Sequence, residues 1–182
     1  MEIIKVTQEE WMPEVTRHIQ WGIHKTGYAI VEKPTALVHR KSQVDESICD
    51  ELGYEVYESF NNGGTILCNK GDFVVAHFDR PDNGWCKRLA ECLVKWLKAR
   101  GLNATYEDND VLVDGYKVCG TCVTRYGMID YDGAFIAINT NLDDIKAICK
   151  KPMGKIPKGL SEYGITTEEV EQMFLDFCEA EK

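Results

Sequence analysis

The clearest hydrophobic pattern in this chain is helical. Between residues 83 and 99, apolar side chains recur at intervals of three and four residues, the spacing that places them on one face of an α-helix. These residues are Trp85, Leu89, Cys92, Leu93 and Trp96. The pattern predicts a core-facing helix over Asn83–Ala99, and Gly101 supplies its stop signal.

The other hydrophobic runs predict strands and helices in alternation. Strands are predicted at Tyr28–Glu32, Ala36–Arg40, Tyr54–Ser59, Thr65–Cys68, Phe73–Asp79, near Tyr106, and at Gly133–Asn139. Helices are predicted at Met12–Trp21, Val44–Leu52, Leu142–Cys149 and Thr166–Ala180. We therefore expect a single domain, residues 1–182, of the α+β class, in which helices pack on a mixed or antiparallel sheet.

The start of the first helix can be read in two ways. Thr7 and Glu10 have the spacing of a capping box, which favours a helix beginning at Thr7. Pro13 would break such a helix, whereas it is tolerated in the first turn of one that begins at Met12. The later start is the prediction.

A tight hairpin is the strongest local signal in the second half of the chain. Asp114-Gly115 separates two apolar runs, and this dipeptide favours a type I′ turn because both central residues need positive φ. The predicted pairs are Val113 with Tyr116, Leu112 with Lys117, Val111 with Val118, and Asp110 with Cys119. Side chains alternate between faces, so one face would carry Asp110, Leu112, Lys117 and Cys119.

Lys117 is the first candidate for chemistry, because it is a lone cation on an otherwise apolar strand pair. A charge in such a place needs a partner, and an anionic ligand is one candidate. Asp110 lies diagonally across the pair at about 7–8 Å by generic sheet geometry. At that spacing Asp110 and Lys117 would contact the same ligand. Lys117 would contact it directly, and Asp110 would contact it through a metal ion. The alternative is an edge hairpin whose lysine points into water.

Composition and charge narrow the classes of function. The chain has 182 residues, 44% of them hydrophobic and 28% charged, as in soluble globular proteins. The net charge of -9 argues against binding to nucleic acid and to anionic membranes, which need a basic surface. No stretch approaches the roughly 20 apolar residues of a membrane span, and the first residues do not form a signal peptide. We therefore expect a cytoplasmic protein.

The chain contains 8 cysteines. Without a secretory signal, free thiols in a reducing compartment are expected rather than a disulfide framework. Cys119 and Cys122 form a CxxC pattern, but it continues a strand, where residues three apart lie on opposite faces. This placement disfavours both a metal site and a redox disulfide.

Five segments, taken in order, carry a family resemblance. They are Lys33–Arg40, the glycine-containing loop Asn61–Leu67, Asn109–Gly120 with its lysine, Tyr131–Asn139, and Lys158–Ser161. Their order and spacing resemble the biotin–lipoate ligase superfamily, and most closely the lipoate–protein ligase A group. The resemblance implies the fold of the lipoate/biotin ligase catalytic domain. Many such ligases also carry a small C-terminal domain, which we do not expect in this chain.

The resemblance also implies an activity and a site. In that family an acid and ATP give an acyl adenylate, and the acyl group passes to a lysine of an acceptor protein domain. Lipoate, octanoate or biotin would be the substrate, Lys117 the catalytic residue, and Asp110 the ligand of Mg²⁺. The implied substrate- and adenylate-binding residues are Arg40, Asn62, Gly63, Gly64, Thr65, Asn109, Gly120, Thr121 and Gly133.

Two alternatives remain open. Glu58 and Ser59 stand where the family has two arginines, and Cys68 where it has a histidine, which motivates a non-catalytic binding relative. Related octanoyltransferases use a cysteine, and Cys149 lies beside the matching run Pro152-Met153-Gly154. Nearby lysines, Lys150, Lys151 and Lys155, would favour its thiolate, which motivates a cysteine-dependent octanoyltransferase.

Overall fold

The computed structural model describes residues 2–11, 25–58, 64–151 and 153–182. The strands are β1 (Glu2–Lys5), β2 (Lys25–Ile30), β3 (Thr35–Val38), β4 (Glu55–Glu58), β5 (Ile66–Cys68), β6 (Phe73–Asp79), β7 (Ala104–Glu107), β8 (Asp110–Val113), β9 (Tyr116–Tyr126) and β10 (Ile129–Ile136). The helices are α1 (Glu46–Leu52), α2 (Trp85–Ala99), α3 (Leu142–Ile148) and α4 (Thr167–Ala180). The predicted α+β class is confirmed.

The strands form two sheets where the sequence predicted one. The large sheet has the order β1-β2-β6-β10-β9-β8-β7, and all its neighbours are antiparallel except the parallel pair β1–β2. The small sheet has the order β4-β3-β5, with β3 and β4 parallel. Hydrophobic alternation identifies strands but not their partners, so the division into two sheets could not be read from it.

One face of the large sheet carries the main core. Helix α2 buries Trp85, Leu89, Leu93 and Leu97 against it, which confirms the predicted helix. Cys92 and Trp96 are only partly buried at the margin of this core, and α4 contributes apolar side chains to the same cluster.

Within the described ranges, none of the helices has the length and apolar character needed to span a membrane.

The opposite face of the large sheet meets the small sheet. Val74, Phe78 and Tyr131 form a second apolar cluster there, together with Trp11 and Cys68. A third cluster joins the small sheet to α1 and α3. Most of the described residues that the sequence predicted for the site converge on the space between the two sheets.

Strands β9 and β10 form a second hairpin, which the sequence analysis did not predict. Strand β9 runs for 11 residues, and β10 begins at Ile129 instead of Gly133. The turn between them contains Gly127 at φ 61°. The last residues of β9 alternate between exposed (Val123, Arg125) and partly buried (Thr124, Tyr126) positions, and none of them is fully buried. The hydrophobic pattern therefore contains little signal of a strand there.

The predicted start of the first helix was wrong. Residues 8–11 are already helical, and the capping box forms, because the Thr7 backbone N–H donates to Glu10 at 3.0 Å and the Glu10 N–H donates to Thr7 Oγ1 at 3.3 Å. Two satisfied N-terminal donors favour this earlier start. The rest of the predicted helix, Met12–Trp21, lies outside the described residues.

Candidate functional site

The hairpin that carries Lys117 has the predicted turn. Asp114 and Gly115 have φ values of 51° and 83°, and Leu112 faces Lys117 as expected. Beyond that pair the predicted register was wrong, since a bulge makes Val111 face Cys119 and Asp110 face Gly120.

The bulge changes which side chains share a face. Cys119 turns into the main core, where it is 2% exposed, instead of sharing a face with Lys117. Gly120 takes the place opposite Asp110. A local slip of one residue therefore puts a glycine, and no side chain, beside the lysine.

Lys117, Asp110 and Gly120 form a compact group. The Lys117 ammonium lies 2.7 Å from Asp110 Oδ1, a direct ion pair in place of the ligand-bridged pair that the sequence suggested. A Cβ on Gly120 would lie 3.0 Å from both Cε and Nζ of Lys117. The missing side chain thus leaves room for the ammonium to lie over the strand.

A segment after α3 lies along Lys117, and we call residues 153–158 the strap. The Lys117 backbone N–H donates to the Ile156 carbonyl at 2.9 Å, and the Lys117 carbonyl accepts from the Lys158 N–H at 2.9 Å. The strap carries Lys155 to Asp110 Oδ2, 3.3 Å away. One carboxylate is therefore shared by two lysines.

Sequence reasoning did not assign Lys155 to this site. It appeared there only as a positive neighbour of Cys149. The sequence shows only a lysine-rich loop here, and loop composition does not predict which part of the fold the loop contacts. The backbone hydrogen bonds to Lys117 determine that path.

These groups line a cavity of about 740 Å³ between the two sheets. Its apolar lining comes mainly from β3, β5, β6 and β10, with Leu37, Ile66, Val74, Tyr131, Ala134 and Phe135. Its charged lining comes from the β8–β9 side and from beyond α3, with Asp108, Asp110, Lys117, Lys151 and Lys155. Uncharged polar residues also line it, namely Gln43, Thr65, Thr121 and Thr140. In the sheet β10 and β9 separate β6 from β8, so the β6 and β8 side chains reach the cavity from strands that are not neighbours.

Most of the described residues predicted for the site line this cavity. They are Gly64, Thr65, Asp110, Lys117, Gly120, Thr121 and Gly133. Arg40 is exposed and does not line it. Asn109 does not line it either, but its carbonyl accepts from the Thr121 N–H at 2.8 Å and from Thr121 Oγ1 at 2.9 Å. Asn62 and Gly63 lie outside the described residues.

Arg40 is kept away from the cavity by the turn that follows β3. Its backbone N–H and that of His39 both donate to Gln43 Oε1, at 3.0 and 2.9 Å. Gln43 itself lines the cavity. The predicted binding role of Arg40 is therefore not supported by its position.

Gly133 has a packing reason to be glycine. A Cβ there would lie 2.8 Å from the Tyr131 hydroxyl and 2.9 Å from Cys122 Sγ. The Tyr131 side chain therefore lies across Gly133, and both residues line the cavity.

Cys122 and Cys119 belong to clusters on opposite faces of the large sheet, as their spacing predicted.

The suggested metal ligand is already engaged by cations. Both Asp110 oxygens lie within 3.3 Å of a lysine ammonium. Across the described residues, no three His, Cys, Asp or Glu side chains are grouped to hold a metal ion. The geometry therefore fits Asp110 as an anchor for lysines better than as a ligand of Mg²⁺.

The cysteine chemistry is disfavoured by burial. All 8 cysteines are free thiols, as predicted. Cys149 does line the cavity, but burial, followed by the nearby Cys49, raises the pKa of its thiol. Burial likewise raises the pKa of Cys122 to about 11. Neither thiol has the positive environment that an activated nucleophile needs.

The residues that departed from the family pattern lie away from Lys117. Glu58 is exposed on β4 and accepts from the Lys41 N–H at 3.3 Å. Cys68 is buried and lines a smaller pocket of about 260 Å³, not the main cavity. Ser59 lies outside the described residues. The described departures thus leave the Lys117–Asp110 group intact.

Comparison with known sequences gives one family. The lipoyl protein ligase A/B catalytic domain matches residues 10–176. A Saccharomyces cerevisiae protein named "Putative lipoate-protein ligase A" is 22% identical over 109 residues, which cover 58% of this chain and 27% of that protein. This chain thus spans about a quarter of the length of the curated relatives it matches. The resemblance found in the ordered segments is confirmed.

Comparison with solved structures confirms the fold. A Thermoplasma acidophilum protein described as a "putative lipoate protein ligase" with bound lipoic acid has a TM-score of 0.78 at 13% identity, covering 97% of this chain and 83% of that one. A bi-partite ligase of the same organism, described with its E2 lipoyl domain, gives 0.78 at 14% identity, covering 97% and 81%. A lipoate-protein ligase A bound with ATP gives 0.78 at 14% identity, covering 97% and 83%.

Proposed function

Because this chain belongs to the lipoyl protein ligase A/B catalytic domain family, we propose that it is an ATP-dependent acyl–protein ligase. It would join lipoate or a related acid, such as octanoate or biotin, to a lysine of an acceptor protein. The observation that carries the proposal is the Lys117 ammonium, held 2.7 Å from Asp110 at the wall of a cavity of about 740 Å³.

The two linings of the cavity suit the two parts of an acyl adenylate. The apolar side chains from β3, β5 and β6 would bury an acyl chain, since apolar surface is stabilised by removal from water. The lysines near β8 and β9 would bind the phosphate, because ammonium groups are strong donors to phosphate oxygens. Relatives of similar fold bind lipoic acid and ATP.

ATP fits the donor set of this chain. Lys117 and Lys155 supply ammonium groups, and Gly120 has no side chain to hold a ligand away from its backbone. When bound, ATP would supply the adenylyl group: its α-phosphorus would bond to a carboxylate oxygen of the acid, and pyrophosphate would leave. Lys117 would then stabilise negative charge on the α-phosphate, and on the carbonyl oxygen while an acceptor lysine attacks.

Asp110 would orient Lys117 for this work. Its side chain is only 15% exposed, so its charge is screened less than that of an exposed carboxylate. Preorganised charge stabilises a transition state without a reorganisation cost at the moment of reaction. With both of its oxygens near lysine ammonium groups, Asp110 does not fit the role of a Mg²⁺ ligand in this arrangement.

The proposed partner is a protein domain that presents a lysine. A related archaeal ligase has an E2 lipoyl domain as its partner, and we propose a domain of that kind here. The 8 free thiols are consistent with work in a reducing compartment, and we propose the cytoplasm.

A ligation assay tests the proposal. The protein is incubated with ATP, Mg²⁺, a lipoyl acceptor domain and, in separate reactions, lipoate, octanoate or biotin, and the intact mass of the acceptor is recorded. We expect the acceptor to gain one acyl group with at least one acid. Lys117→Ala should lower the rate by about a hundredfold or more, the loss found when one preorganised donor is removed.

Two controls separate the alternatives. Cys149→Ala should retain activity, since the thiol takes no part, whereas loss of activity in that variant would favour a cysteine-dependent transferase. If the wild-type protein binds lipoate or ATP in calorimetry but modifies no acceptor and forms no adenylate, it is a binding protein and the ligase proposal is wrong.

A further inference from the structure

The strap places a second cation beside Lys117. Lys155 Nζ lies 3.3 Å from Asp110 Oδ2 and donates to the Glu107 carbonyl at 3.1 Å. Its side chain is 27% exposed, less than the 36% of Lys117. Lys155 is therefore a defined part of the cavity wall and not a freely solvated surface lysine.

The charges at this wall do not cancel inside the cavity. Asp110 is shared by Lys117 and Lys155, so one carboxylate faces two ammonium groups. Asp108 also approaches Lys155, at 3.6 Å, but it is 87% exposed, and its charge is screened by water. The half-buried groups thus carry an excess of one positive charge, which suits an anionic ligand.

The position of Lys155 is tied to the backbone of Lys117. Hydrogen bonds from Lys117 to Ile156 and from Lys158 to Lys117 hold the strap on both sides of the catalytic candidate. Burial lowers the pKa of Lys155, but its hydrogen bond with Asp110 and the charges of Asp110, Asp108 and Glu107 raise it overall. The amine stays protonated at neutral pH.

We propose that Lys155 is a second phosphate-binding residue, which binds the nucleotide together with Lys117 across the Asp110 carboxylate. The inference rests on the proposed function, because it assigns the nucleotide to the same cavity. A bound phosphate would replace part of the interaction of each lysine with Asp110. The two ammonium groups would then contact phosphate oxygens, and Asp110 would keep both side chains directed into the cavity.

Calorimetric titration with ATP tests this role without relying on turnover. Lys155→Gln removes the charge and keeps a polar side chain of similar length. We expect its affinity for ATP to fall by about tenfold or more, the change that loss of one charge-assisted hydrogen bond represents. Lys155→Arg should restore part of the affinity. The salt dependence of ATP binding should become weaker in Lys155→Gln, since one ionic contact is lost.

The matched control is Lys150→Gln, which removes a lysine from the same region of the chain. Lys150 is exposed and does not line the cavity, so ATP affinity should stay within about twofold of wild type at equal ionic strength. Thermal unfolding of each variant establishes that it is folded. An equal loss in Lys150→Gln and Lys155→Gln would mean a general charge effect and would overturn the inference.

The outcomes distinguish this inference from the proposed function. If Lys155→Gln binds ATP as wild type does while Lys117→Gln loses affinity, Lys155 has no role in phosphate binding and the ligase proposal stands. If the folded wild-type protein binds no ATP, both the inference and the ATP-dependent function are wrong.

Discussion

At the scale of single residues, the arrangement of the site depends on the absence of a side chain at Gly120. The bulge in β9 brings this glycine opposite Asp110, and the ammonium of Lys117 lies only 3.0 Å from where a Cβ would be. Two lysines and one carboxylate can then meet at one wall. The sequence identified Lys117, Asp110 and Gly120 as site residues, but it could not show that they contact one another directly.

Gly120→Ala should damage the site and leave the fold nearly unchanged. The added Cβ would lie 3.0 Å from the end of the flexible Lys117 side chain, which can move away at little cost. We expect the free energy of unfolding to change by less than about 1 kcal/mol. The displaced ammonium should weaken ATP binding, measured by calorimetry, by about tenfold.

Gly159→Ala is the matched control, because it adds the same methyl group where nothing can move. Its Cβ would lie 2.3 Å from the Ile138 carbonyl oxygen and 2.8 Å from the Thr140 nitrogen, both in the backbone. Chemical denaturation should show a loss of about 3 kcal/mol or more. The proposed role of Gly120 would be contradicted if Gly120→Ala were the more destabilised of the two, or if it bound ATP like the wild type.

At the scale of secondary-structure elements, local signals were more informative than long-range ones. The Asp114-Gly115 turn, the helix α2 and the end of α1 at Leu52 follow from short patterns, and the structure has all three. The bulge after Lys117 was missed because its cause is packing: Val118 and Cys119 are both buried in the main core. Because side chains along a strand alternate between faces, a strict alternation rule predicts that only one of two adjacent residues is buried in the same core.

Two buried titrating groups join strands of the large sheet to their neighbours. Asp72, just before β6, accepts from the Ile138 and Asn139 N–H groups at 2.6 and 2.8 Å. His77, within β6, shares a hydrogen bond of 2.8 Å with Thr26 on β2. Burial raises the pKa of Asp72 from 3.8 to about 6 and lowers the pKa of His77 from 6.5 to about 4.

These two groups should give opposite slopes of stability against pH. For Asp72 the folded state binds the proton more tightly than the unfolded state, so its contribution is present below pH 4 and is lost as pH rises through about 6. For His77 the folded state binds it less tightly, so its contribution is present above pH 6.5 and is lost as pH falls through about 4. Between the unfolded and folded pKa values, each group should change the free energy of unfolding by about 3 kcal/mol in total.

Single substitutions should reveal each slope, measured by urea denaturation between pH 4 and 6.5. Relative to wild type, Asp72→Asn should gain stability with rising pH, because the opposing contribution is gone. His77→Gln should lose stability with rising pH for the same reason. Parallel curves for wild type and Asp72→Asn would show that the buried carboxyl does not titrate in this range.

At the scale of the whole molecule, the cavity is formed by residues from both sheets. The apolar lining uses the small sheet and β6, and the polar lining uses the β8–β9 hairpin and the strap. These parts are distant in sequence, so their meeting could be inferred only from the family resemblance. The fold class was predictable in this way, and most of the predicted residues that the structure describes do line the cavity. Lys155 and the second sheet were not predicted.

The cavity also relates the proposed chemistry to the fold as a whole. An acyl adenylate has an apolar chain at one end and a charged nucleotide at the other. The cavity is lined both by apolar side chains, including Leu37, Ile66 and Val74, and by lysines, including Lys117 and Lys155. We propose that these two groups of side chains bind the two parts of one molecule.

A crystal structure with a non-hydrolysable lipoyl-adenylate analogue tests that claim most directly. We predict that Lys117 Nζ lies within hydrogen-bond distance, about 3 Å, of the group that replaces the phosphate. The acyl chain should run between the small sheet and β6, against Leu37 and Val74. An analogue bound elsewhere, or bound in the cavity with Lys117 still paired only to Asp110, would contradict the account.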